Sequence, residues 1–428
     1  MSDPVRVLAV ADSDSYVKWG AALLAHAPAG WDRRMVVLAS PVLPSSDQLS
    51  AALTTAARTI GRPAVVDLAA LAVRVAKSNP DVVLLSVRGP LVKVVVRAIL
   101  GACAKRPVIV TGLPGISIPA TRMAIAHRAQ ADLFVVHSRR EITEFTALAE
   151  RMHIDQRFGL ATLPFMPTPA GPRSDSGDVI FAAQAKVPAY RGERLALLGW
   201  LAESARRHPS RRVVVKVRAT HGEQQTHAET HDYADLISEL DPPAPDNLVV
   251  EGGAMGAHLA AAGGLVTVSS TASIEAIALG CPVLILDDFG IRHGLINTVF
   301  EGSGLFGGSD DLISARFHQP DAEWLQENYF HGEAADDWVT QVEQLLQQRA
   351  TVGLPAPVLP RGETGGRLRR AWDRKRALGR FDRSWTGIVA LAVGLPALTV
   401  LRSWRKLRKA LRRGPEPIVL PEDTRVGA

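Results

Sequence analysis

Short, wholly apolar runs alternate with longer stretches whose apolar residues return at helical spacing. Val5–Val10 reads as a buried strand, and the ADSDSYVKWGAALLAHA that follows opens with acids and serines before an amphipathic helix. The same alternation recurs at Met35–Ala39, Val65–Val66, Asp81–Val87, Val108–Thr111 and Leu133–His137, with Ala/Leu/Arg-rich helical stretches between. Strands apolar on both faces and separated by helices predict a parallel sheet covered on both sides. Residues 1–165 are therefore expected to form one doubly wound domain. Met166–Asp178 (MPTPAGPRSDSGD) holds three Pro, two Gly and two Ser and reads as a linker, 166–178.

A second series follows over 179–350. Its expected strands are Val179–Ala183, Arg212–Val217, Asn247–Glu251, Leu265–Val268 and Val283–Leu286, and its expected helices Arg191–Arg207, Tyr233–Leu240 and Thr271–Leu279. A last helix near Ala334–Gln348 is expected to close this domain. Pro-rich Val352–Gly366 then opens a tail, 351–428. No repeat of the length that builds solenoids is present. The fold class is thus α/β: two doubly wound, Rossmann-like domains facing a cleft, with a basic C-terminal helical tail.

The 428 residues, 47% apolar, suffice for two domains and an appendage. Cys103 and Cys281 are the two cysteines and have no zinc or disulfide-framework spacing, which favours a reducing compartment. The start, MSDPVRVLAVADSD, has acids and a short apolar run, unlike a secretory leader, so a cytoplasmic location is expected. Net charge is +6, but it is unevenly placed. From Arg361 onward there are 17 Lys/Arg and 6 Asp/Glu, a net of +11, leaving −5 for residues 1–360. An acidic body argues against nucleic-acid binding, since a basic stripe would lie on the folded domain itself.

The tail carries an uncharged run, Trp385–Leu401, followed by RSWRKLRKALRR. Seventeen residues with Gly394 and Pro396 inside are marginal for spanning a bilayer. An interfacial or re-entrant anchor with a basic amphipathic helix, within 380–428, is the expected arrangement, beside the alternative that the tail packs back on the body.

Candidate chemistry lies where strands end. In GGLVTVSSTASIEAIALGCPVLILDD (Gly263–Asp288), a strand runs through Ser269, Ser270 and Thr271 into a helix, so hydroxyls and backbone N–H groups meet at a helix start suited to phosphate. Glu275, one turn on, is placed to accept from a ribose or sugar hydroxyl. Helix capping and dipole balance are the simpler reading of the same residues. Lys216 and Arg218 leave the strand of VVVKVRATHGEQQTHAETHDY on one side, with His221, His227 and His231 following. Asp12 and Asp14 follow the first strand and suit either a general base or a helix cap. Gly112 and Gly115 would let backbone approach a ligand, and a plain turn explains them equally well. Asp287-Asp288 resembles an acidic metal pair, yet no metal is expected.

The stretch SSTASIEAIALGCPVLIL resembles the donor-nucleotide segment of GT-B glycosyltransferases, where hydroxyl residues precede a Glu-bearing helix and then Ala-x-x-x-Gly-x-Pro-Val. It is most similar to the Ser/Thr-rich versions in bacterial capsule and cell-wall polymer transferases, including sialyl-, polysialyl- and glycerophosphotransferases. The resemblance is clear over Arg212–Gly304, and the Ala/Arg/Val-rich composition fits an actinobacterial branch. It implies a glycosyltransferase that moves a sugar or sugar acid from a nucleotide donor to a glycan or lipid-linked acceptor in envelope polysaccharide synthesis. The donor is a co-substrate, with no cofactor, and an anionic membrane surface is the further partner. Lys216, Arg218 and His227 would meet the nucleotide phosphate, although Thr226-His227 stands where those families have His-Pro. Sugar-nucleotide 2-epimerases carry a related segment, usually with an Asp ahead of the hydroxyl and paired Glu in the helix; here Val268 and a single Glu275 stand instead. An epimerase, or a non-catalytic small-ligand binding protein, is the alternative.

Overall fold

The computed structural model describes residues 4–53, 60–164, 166–167, 177–184, 187–217, 231–357, 366–396 and 404. The chain forms two compact units, Met1–Glu363 and Thr364–Ala428.

The first unit holds two parallel sheets. One contains β1 (Arg6–Ala11), β2 (Asp32–Leu38), β3 (Ala64–Val66), β4 (Val82–Ser86), β5 (Val108–Gly112), β6 (Leu133–Val136) and β7 (Phe158–Leu160), in the order β3-β2-β1-β4-β5-β6-β7. The other contains β8 (Asp178–Ala182), β9 (Val213–Lys216), β10 (Leu248–Glu251), β11 (Ala262–Thr267), β12 (Val283–Leu286) and β13 (Phe306–Gly307), in the order β10-β9-β8-β11-β12-β13. Both are Rossmann-like: the chain works outward on one side of the first strand, then returns to its other side. The reversal falls between β1 and β4 in one sheet and between β8 and β11 in the other. Sheets of this kind bind ligands at that point, beyond the carboxyl ends of the strands.

Helices cover both faces, so the central strands are buried over most of their length; β1, β4, β5 and β12 contribute apolar side chains that retain almost no exposed surface. Local chemistry starts several helices where the alternation predicted them. Asp67, Thr121 and Ser138 accept from the backbone N–H groups of Ala70, Ala124 and Glu141, supplying caps that the first helical turn otherwise lacks.

The last helix of this unit differs from expectation. It runs Trp338–Thr351, and Trp338, Val342 and Leu345 join the core of the first sheet instead of closing the second domain. Polar contacts fix it there. Asp337 accepts from Leu160 N at 2.7 Å, Asp336 from Thr162 N at 2.7 Å, and Arg349 donates to Asp81 at 3.0 Å. The short strands β7 and β13 and the helix Met255–Ala261 are further elements that the sequence pattern did not reveal.

The second unit has its own small core. Helix Arg367–Leu378 carries Ala371 and Trp372 against Ala390 and Leu391 of a second helical stretch, 385–396. No helix among the described residues is long and apolar enough to cross a membrane.

Candidate active site

At the reversal point of the first sheet, the residues after β1 and β4 bind each other. Asp12 is fully buried; its Oδ2 accepts from Arg88 Nε at 2.7 Å and its Oδ1 from Arg88 N at 3.1 Å. Burial pushes the Asp12 carboxyl above its ordinary value, against the opposing pull of Arg88. Arg88 Nη2 also donates to Ser40 Oγ, while Arg128, itself buried, donates to Gly112 O and Tyr16 Oη. Asp14, by contrast, is partly exposed as the first residue of helix Asp14–Ala25, where it accepts from Ser15 Oγ. The two expected base candidates are therefore different groups: one is enclosed in an ion pair and the other meets solvent.

The second reversal point has the same plan with neutral groups. Gln184 follows β8 and Ser269 follows β11. Gln184 Oε1 accepts from Ser269 N at 3.0 Å, and its amide donates to Ser269 Oγ at 3.1 Å. Arg194, buried in helix Arg191–Arg207, holds the loop by donating to Gln184 O and Pro188 O and stacking over Tyr233. Ser270 Oγ accepts from Ala272 N at 3.3 Å, so this hydroxyl does the capping. Thr271 occupies the cap position of helix Ala272–Ala278 without a side-chain cap bond. Lys216 ends β9 at the same edge of the sheet, but its ammonium is buried and donates to Val217 O. Arg218, His221 and His227 lie outside the described residues.

The two edges meet. Lys18, one turn beyond Asp14, donates to Glu275 Oε1 at 3.4 Å, and Glu275 stands one turn beyond Thr271. Such a partly exposed pair is worth about 0–1 kcal/mol, weak enough for a ligand group to replace. Gly115 has φ +88°, and a Cβ there would lie 2.9 Å from Thr271 Oγ1. Glycine thus serves both the left-handed backbone and the close approach of the domains. Its neighbour Ile118 sits in the core of the second domain, so the loop after β5 is a bridge between domains and more than a turn. Gly112 has a packing reason as well: a Cβ there would meet Trp19 Cζ2 at 2.3 Å, so its small size admits the buried indole.

Glu141 joins this bridge from behind. Its carboxylate, fully buried, accepts from His137 N at 2.7 Å, Ser117 N at 3.0 Å and Tyr329 Oη of the second domain at 2.7 Å. Burial, reinforced by the Glu141 charge, holds the Tyr329 phenol well above its ordinary pKa, so it remains a donor. Arg140 beside it donates to Thr298 O and Val299 O, both at 3.1 Å. His137 accepts from Trp19 Nε1 at 2.7 Å, which leaves its Nδ1–H to donate to Ala161 O at 2.8 Å. Desolvation lowers its pKa, and the ring is neutral.

Lys18, Arg88, Gln184 and Glu141 are the residues here that sequence reasoning missed. Arg88 follows its strand as Asp12 follows β1, a position that could have marked it. Ser138-x-x-Glu141 reads as a helix-start box, but nothing in it announces the tyrosine 188 positions away. Asp287 and Asp288 do not gather a metal set: Asp288 accepts from Ser309 N and Oγ at a helix start. Among the described residues no group of three or more His, Cys, Asp or Glu is placed to hold a metal ion.

Two Rossmann-like domains of parallel sheet, with their reversal points turned toward one interdomain contact, define a protein of GT-B architecture. The chain belongs to the family described as "Putative glycosyltransferase (DUF6716)", whose model matches residues 7–345. In fold it is similar to MnaA of S. aureus, solved with UDP, at 10% identity and TM-score 0.52 over 82% of this chain and 98% of that one. It is similar, too, to the UDP-GlcNAc 2-epimerase of Neisseria meningitidis bound to UDP-GlcNAc, at 12% identity and TM-score 0.50 over 81% of this chain and 100% of that one. At such identities the likeness is one of fold alone. No curated protein matches the chain by sequence.

Proposed function

We propose that this protein transfers a sugar or sugar acid from an activated nucleotide donor to a glycan or lipid-linked acceptor in envelope polysaccharide synthesis, as a member of the capsule and cell-wall polymer type. The observation that carries the reading is the meeting of the two sheet edges at Lys18–Glu275 and Gly115–Thr271. A donor held by the second domain there presents its reacting carbon to a group from the first. Glu275 would accept from donor hydroxyls once Lys18 is displaced. The Ser270–Thr271 turn, with Lys216 and with Arg218 and His227 of the following loop, would receive the phosphate, while Ser269 and Gln184 fix the turn's shape. Asp14 is the better placed of the two carboxylates to take the acceptor's proton, because Asp12 is enclosed by Arg88. As the acceptor oxygen bonds to the anomeric carbon, the bond from that carbon to the donor phosphate breaks and the phosphate leaves with the electron pair. No resident metal is needed in this scheme. The 380–428 segment would keep the enzyme on the anionic inner face of the membrane.

Donor binding is the decisive test. UDP, CMP, GDP and CDP are compared by thermal shift, and one of them is expected to stabilise the protein. The double change Ser270→Ala with Thr271→Ala is expected to remove most of that stabilisation; unchanged affinity would leave Ser270 as a helix cap alone and take both hydroxyls out of the donor site. An epimerase fold neighbour motivates analysing the products with the matching nucleotide sugar alone. An epimerised sugar nucleotide without acceptor would replace the transferase reading.

A further inference from the structure

The second unit is built around one tryptophan. Trp372 lies against Ala390 and Leu391, and Gly394 is so close that a Cβ there would meet the indole at 2.3 Å. The turn between the helices is equally specific. Asp382, nearly buried, accepts from Arg374 Nε at 3.1 Å, Ser384 N at 3.1 Å and Ser384 Oγ at 2.7 Å, while Lys375 Nζ donates to Asp382 O at 2.7 Å. One face of the 385–396 helix, carrying Ala390, Leu391 and Gly394, is therefore satisfied within the unit.

Its other face is apolar and open. Trp385 is 74% exposed, Ile388 58%, Val389 44% and Val393 54%, at the spacing of a single helical stripe. No charged residue occurs between Arg383 and Arg402. Around this stripe the unit is strongly basic: residues 366–396 contain eight Lys/Arg and two Asp, and both Asp are paired internally, with Arg369 and Arg374. Arg367, Arg370, Arg376, Arg380 and Arg383 are exposed.

We propose that the Trp385–Ile388–Val389–Val393 stripe inserts into the headgroup and upper acyl layer of an anionic bilayer, with the surrounding arginines on lipid phosphates. This deepens the membrane-side reading of the tail and rests on it. Charge decides the occupant. A second copy of the unit would bring like-charged arginines together, whereas a bilayer offers an apolar layer directly beneath an anionic one. Packing decides the mode. Ala390, Leu391 and Gly394 are held against Trp372 of the basic helix, so one face of the 385–396 stretch is already covered by protein and the open face enters the interface.

The test uses the full chain without donor or acceptor, so it is independent of turnover. Sedimentation with phosphatidylcholine vesicles is compared with sedimentation with vesicles that also carry phosphatidylglycerol. Binding is expected with the anionic vesicles and is expected to weaken with salt. The surface double change Ile388→Asp with Val393→Asp should abolish it. Arg367→Gln with Arg370→Gln should weaken it by about fivefold per cation removed. A second readout compares Trp385→Phe with the parent, which should lose a vesicle-induced blue shift of fluorescence. Failure of the parent to sediment with anionic vesicles, or equal sedimentation of the Asp variant, would overturn the proposal. So would a concentration-dependent dimer in light scattering that the same variant dissolves.

Discussion

Asp12 and Asp14 are two positions apart and chemically alike, yet burial separates them. Asp12 has lost its water and relies on Arg88, so removing its charge leaves a guanidinium facing a neutral amide. Asp12→Asn is expected to cost stability, at or below the ~3 kcal/mol lower end for breaking a buried ion pair, since Arg88 is partly solvated. Asp14→Asn is expected to leave stability unchanged and to lower turnover by ~10²–10⁴, with donor affinity near normal. Parallel unfolding curves and steady-state kinetics distinguish the two. Full activity in Asp14→Asn would leave the base elsewhere, and a silent Asp12→Asn unfolding curve would contradict the ion-pair role. His137 shows the same principle without charge: packed between Trp19 and Ala161, it acts as a fixed hydrogen-bond spacer.

At the level of elements, the Trp338–Thr351 helix returns to the first sheet and must be fastened at both ends. Its start is held by Asp336 and Asp337, and its end by Arg349 on Asp81. Burial tends to raise the Asp81 carboxyl, but hydrogen bonds from Arg6 and Arg349 prevail and lower it. A carboxyl depressed in the folded state stabilises above its unfolded pKa, and the contribution is lost as pH falls through the folded value. Asp81→Asn should therefore cost ~1–2 kcal/mol at neutral pH, discounted for partial exposure. The gap to the parent should narrow as pH drops below about 4. Urea titrations stepped through that range check the sign; a gap that is constant with pH would mean that Asp81 contributes packing alone.

For the whole molecule, the two units divide the work. The first contains both reversal points and the interdomain contacts, and the second carries the exposed apolar stripe. Ending the chain at Glu363 is expected to preserve nucleotide-induced stabilisation while abolishing vesicle binding. Loss of nucleotide binding in the truncated protein, measured by thermal shift, would show that the second unit is a necessary part of the catalytic fold.

The alternation of apolar runs with amphipathic stretches was sufficient by itself for the two parallel-sheet domains. Strands buried on both faces must be apolar throughout, and the helices covering them cannot be. Asp12, Gly115 and Thr271 were likewise visible as residues just beyond strands, and Asp14 and Glu275 as acids in the first turn of the helices that follow, because that is where a parallel sheet puts its loops. Their partners were not. Lys18 with Glu275, Glu141 with Tyr329 and Gly115 with Thr271 join residues more than 150 positions apart, and no local pattern encodes such a pairing. The last helix shows the same limit. Its apolar spacing announces a face to be buried, but the first sheet could be identified as its resting place only once the chain had crossed back over Leu160 and Thr162.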